Sequence, residues 1–80
     1  MHELAVAQSI VEKAEEVAAG RTVLRITIEI GMESCVSPEA LAFCFELVAE
    51  QSAAAGAMLD IFEMPGQALN VKSLELEEAA

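Results

Sequence analysis

Residues 22–31 read TVLRITIEIG, and this run decides the fold. Leu24, Ile26, Ile28 and Ile30 alternate with Arg25, Thr27 and Glu29. Successive side chains of a strand point to opposite faces, so period two with β-branching predicts a strand buried on one face. Such a strand needs partners along its edges and a cover over its apolar face. The flanking sequence supplies both.

Upstream, Leu4, Ala7, Ile10, Val11, Ala14, Val17 and Ala18 recur at helical spacing, with Gln8, Glu12, Glu15 and Glu16 opposite. That pattern predicts a helix over about 2–19, stopped at Gly20. Downstream, Ser37 suits an N-cap, Pro38 the first helical position and Glu39 the positive end of the helix dipole. Leu41, Cys44, Phe45, Val48 and Ala55 mark one face, so this second helix is predicted to run to Gly56. A second strand is predicted in AMLDIFEM (57–64), with Leu59 and Ile61 on one face and Met58, Asp60 and Phe62 on the other. Pro65 fixes φ and Gly66 tolerates positive φ, which suits a type II turn. ALNVKSLELEE (68–78) reads as a third strand. Its alternation slips between Val71 and Leu74, which predicts a bulge near Lys72 and Ser73.

The order is therefore α-β-α-β-β. Strand–helix–strand predicts a right-handed crossover between parallel strands, and the short turn predicts a hairpin between the last two. The fold class is α+β: two helices packed on one face of a three-stranded mixed sheet. Eighty residues suit a single domain with a modest core, one that self-association would help. A homodimer through strand edges is expected.

Composition narrows the function. Four basic and fourteen acidic residues give a net charge of −10, which argues against nucleic acid and against anionic membranes. No apolar run reaches the roughly 18 residues of a membrane span, and the basic start of a signal peptide is absent, so the cytoplasm is the expected location. Cys35 and Cys44 form no CxxC pair. Cys44 lies on the apolar helix face and reads as a small core residue, and Cys35 as a loop thiol of weak reactivity. With one histidine and no nucleophile–base pattern, phosphate loop or dinucleotide fingerprint, an enzyme is not expected.

That histidine is His2, between Met1 and Glu3. A terminal amine has a pKa near 8, far below that of lysine, and imidazole is a common metal ligand. Amine, deprotonated amide and imidazole form fused chelate rings in one plane, a tetragonal set that suits Ni(II) or Cu(II). The bland alternative is a solvated terminal histidine. Glu12, Glu15 and Glu16 also admit two readings, a docking surface or weak metal site, and a solvated helix face.

Five stretches in order, MHELAVAQSIVEKAEE, VLRITIEIG, SPEALAFCFELV, MLDIFEMPGQA and VKSLELEE, resemble the HypA/HybF nickel metallochaperones over nearly the whole chain. The resemblance implies Ni(II) held at His2, with Met1 as amine donor and Glu3 as ligand or orienting group. It implies delivery of nickel for maturation of [NiFe]-hydrogenase or urease. Partners implied by the resemblance are a nickel-handling GTPase and the hydrogenase large subunit. In the family a zinc-binding segment with two CxxC pairs follows the PG.A stretch. Here the junction between Gln67 and Val71 lacks it, so residues 1–80 are expected to form one nickel-binding domain without zinc. The alternative function is an interaction module that docks to nickel-handling maturation proteins without useful metal binding.

Overall fold

The computed structural model describes residues 3–78. At its centre is β1 (Val23–Gly31), paired on both edges. On one side β2 (Met58–Met64) runs parallel, from Arg25 opposite Met58 to Gly31 opposite Met64, without a break in register. On the other, β3 (Leu69–Leu76) runs antiparallel, with two register shifts. Two helices, α1 (Glu3–Ala18) and α2 (Pro38–Ala49), complete the order α-β-α-β-β. The fold class and the orientation of each strand are as the sequence predicts.

The core follows from side-chain period. Ile26, Ile28 and Ile30 are fully buried on β1. Each such side chain contributes about 1.5–3 kcal/mol relative to exposure. From α1 come Ala7, Ile10, Val11, Ala14 and Ala18, largely small residues that admit a second helix at close range. From α2 come Leu41, Phe45 and Ala49, one every four residues. Ser37 caps α2 as predicted, its side chain accepting from Ala40 N–H at 3.3 Å. Leu59 and Ile61 of β2, with Leu69, Val71, Leu74 and Leu76 of β3, close the core from the sides.

The expected hairpin does not form, because β3 pairs with β1 and not with β2. The turn after β2 lies across the end of β1. Gly31 N–H donates to Ala68 O at 2.7 Å, Met32 N–H to Met64 O at 2.7 Å and Glu33 N–H to Gly66 O at 2.8 Å. This path carries the chain to the far edge of β1, whose backbone groups need a partner as much as the near edge does. It requires glycine at 31, since a Cβ there would overlap the Gly66 carbonyl group and stand 2.8 Å from the Gln67 carbonyl carbon. Gly66, at φ +97°, has the positive φ that the turn requires.

Three further expectations change. The second helix stops at Ala49, not Gly56. The Ser52 hydroxyl donates to Ala49 O at 2.9 Å and accepts from Ala54 N–H at 3.0 Å, so this side chain competes with the helical ladder and leads into short turns. On β1, Val23 is buried and Leu24 is 46% exposed. Val23 faces Leu76 while Arg25 faces Glu75, so Leu24 is an extra residue that reverses the phase of the strand. On α1, Leu4 and Val17 flank the buried stripe and are about half exposed. The predicted bulge on β3 is present: Thr27 faces Ser73 and Ile28 faces Val71, leaving Lys72 over.

Candidate functional site

Met1 and His2, the first two predicted metal ligands, lie outside the described residues. Glu3 is the first residue of α1. Its Oε2 accepts from the Ser37 N–H at 2.9 Å, across 34 positions of sequence. The free N–H groups at a helix start favour an anion, and Ser37 is the N-cap of α2. The carboxylate of Glu3 therefore ties the start of one helix to the start of the other. That hydrogen bond, foremost, lowers its pKa from 4.5 to about 2, so the group stays anionic through any physiological pH. The sequence identified Ser37 as a cap but gave no sign of this second contact, because nothing local links positions 3 and 37.

The connection between β2 and β3 meets the same end of the molecule. Gln67 and Leu69 line a shallow groove with Ala5, Val6 and Ser9 of α1 and with Ser34 and Val36 of the loop before α2. The point where the zinc-binding segment is expected to be missing thus lies beside the first two turns of α1. Four residues, 65–68, span it. Among the described residues no three His, Cys, Asp or Glu side chains come together as a metal-binding group.

The remaining candidates separate. Cys35 is exposed, with φ +65°, and Cys44 is half-buried against the core, both as free thiols. Glu12, Glu15 and Glu16 are exposed on α1. Glu15 Oε2 accepts from Ala53 N–H at 3.3 Å and holds the turn after α2, while Glu16 lies 3.7 Å from Lys13. Two of these three carboxylates therefore have structural partners. No described helix is long and apolar enough to cross a membrane.

Comparison with known proteins places these features in context. Residues 1–73 match the family model described as hydrogenase/urease nickel incorporation, metallochaperone, HypA. The chain is 43% identical over 68 residues to the hydrogenase maturation factor HypA of Trichormus variabilis, covering 85% of this chain and 60% of that protein. It is 46% identical over 67 residues to the corresponding factor of Geobacter metallireducens, covering 84% and 61%. The chain thus spans about three-fifths of the length of these relatives. The solution structure of the Ni metallochaperone HypA from Helicobacter pylori superposes with a TM-score of 0.74 at 20% identity, covering 98% of this chain and 88% of that one, a likeness of fold.

Proposed function

This chain belongs to the HypA family, a family of maturation factors and not of enzymes, and from that premise we propose that it is a nickel-binding metallochaperone domain. Ni(II) is its cargo, held by the Met1 amine, the intervening amide and the His2 imidazole. The observation that carries this reading is the tether of Glu3, the residue next to His2, to the α2 cap. A ligand set at a chain start gains from one fixed neighbour, since less freedom is lost when metal binds. With one carboxylate oxygen accepting from Ser37, Glu3 acts here as the orienting group.

Delivery requires release, and an open terminal site exchanges its metal more readily than a closed cage. Acid promotes release, because imidazole and amine must lose protons to bind, with ordinary pKa values near 6.5 and 8. Affinity rises with pH through that window. Glu3, ionised throughout, adds nothing to the slope. The destination is an immature [NiFe]-hydrogenase or urease, reached with a nickel-handling GTPase and the hydrogenase large subunit as partners in the cytoplasm. On this reading the family's zinc-binding segment would fall at the four-residue link 65–68, and the domain would handle nickel without it.

Calorimetric titration of the untagged protein with Ni(II) tests the site. The native chain is expected to bind near one ion, and His2→Ala and an N-terminally extended form to lose most of that affinity. Equal binding by all three would sink the site. An interaction module that works without metal is the second reading, favoured by the outer edge of β2, which has no strand beside it among the described residues.

A further inference from the structure

The outer edge of β2 has no strand beside it among the described residues. Over Met58–Met64 it carries no proline, lysine or bulge, the devices that usually keep such an edge from pairing. Beside the start of β2, between α2 and the turns that follow it, lies a groove of about 350 Å³. Its floor is apolar, from Ala42, Phe45, Ala49, Ala57 and Leu59. Its rim is acidic. Glu46 borders this groove, and Glu39 and Glu63 line a second hollow between the start of α2 and β2, with Pro38, Ile61 and Phe62. None of these three carboxylates forms an ion pair among the described residues.

The geometry points to strand addition: an extended, basic segment of a partner protein pairs with the outer edge of β2. Main-chain hydrogen bonds extend the sheet. Alternate apolar side chains of the segment enter the groove between α2 and β2, and its Lys or Arg residues meet Glu39, Glu46 and Glu63. Charge decides the occupant. A second copy of this chain would bring another net charge of −10 and the same acidic rim against this one, whereas a basic segment is drawn to it. The surface needs neither His2 nor nickel, so it stands or falls apart from the metal site.

A display library of random heptapeptides, selected against the full chain, tests this. Enriched sequences are expected to alternate apolar with Lys or Arg positions. Titrated into isotope-labelled protein, they should shift the amide resonances of β2 and the side of α2 facing it, and weaken roughly tenfold from low to high salt. The exposed double substitution Glu46→Lys, Glu63→Lys should reverse the charge preference without unfolding the chain. The proposal is overturned if nothing enriches, if enriched peptides are acidic or lack alternation, or if the shifts fall on α1 or β3. It is equally overturned if the free protein pairs with itself through β2 as concentration rises, which light scattering with amide exchange would reveal.

Discussion

β2 and β3 are both edge strands on the same central strand, yet they end the sheet differently. β3 is antiparallel, broken in register at Leu24 and again at Lys72, and presents Asn70, Lys72, Ser73 and Glu75 to solvent. Its far end is clamped: Arg21 Nε and Nη2 donate to Glu77 O at 3.0 and 2.8 Å, and Glu77 N–H donates to Thr22 O at 2.8 Å. β2 is parallel, unbroken over seven residues, and exposes Met58, Phe62, Glu63 and Met64. Bulges twist an edge away from new partners, while a regular edge rich in apolar residues invites them. One side of the sheet is finished and the other is left available.

The two edges meet at the end of β1, and the largest expected effect is there. Gly31→Ala would drive a methyl group into the backbone of residues 66–67, which cannot swing aside as a side chain can. The φ at Gly31 is not in the positive region, so the conflict is steric alone. Urea unfolding should show a loss of about 3 kcal/mol. That is a large part of the stability of a small domain. A loss under about 0.5 kcal/mol would mean that the crossing turn is loosely seated.

A smaller effect falls on the clamp. Arg21→Ala removes both guanidinium contacts to Glu77 O, at a cost of about 1 kcal/mol. Amides near the end of β3 should then exchange as fast as those of β2, erasing part of the difference between the edges. Unchanged exchange would show that the Thr22–Glu77 pairing holds that end alone.

Much of this architecture is legible in the sequence. The slipped alternation across Val71–Leu74 announced the Lys72 bulge, because four aliphatic residues can share one face only with an extra residue between them. Element types and strand directions followed from period and connection length. The hairpin was misread because a four-residue link admits two courses, and the choice rests on the fit of Gly31 against Gly66, a contact between distant positions. Leu24 was misassigned for a related reason: its place is set by Leu76 and Glu75 on the partner strand, not by its neighbours in sequence. Ser52 cut α2 short through two hydrogen bonds that helical periodicity does not register. At the candidate site, residue type alone proposes Met1, His2 and Glu3 as a ligand set, of which only Glu3 lies within the described residues, while the hold of Ser37 on Glu3 needed the fold.

Deletion of Lys72 is the mildest change in stability and the sharpest probe of the two edges. Leu69, Val71, Leu74 and Leu76 all point inward, and the bulge reconciles their spacing with the strand period. Without Lys72 the four alternate regularly, so every apolar contact survives and the register opposite Thr27 and Ile28 becomes continuous. The pair between exposed Lys72 and half-buried Glu29, at 3.6 Å, is lost at a cost of about 0.5 kcal/mol. Net stability should stay within about 1 kcal/mol of the parent. The edge, however, keeps only the break at Leu24 and loses its lysine, so β3 moves toward the character of β2. Light scattering should then show association through β3 that the parent lacks at the same concentration. If the deleted form stays as monomeric as the parent, the bulge serves packing alone, and the contrast between the edges rests on their charge.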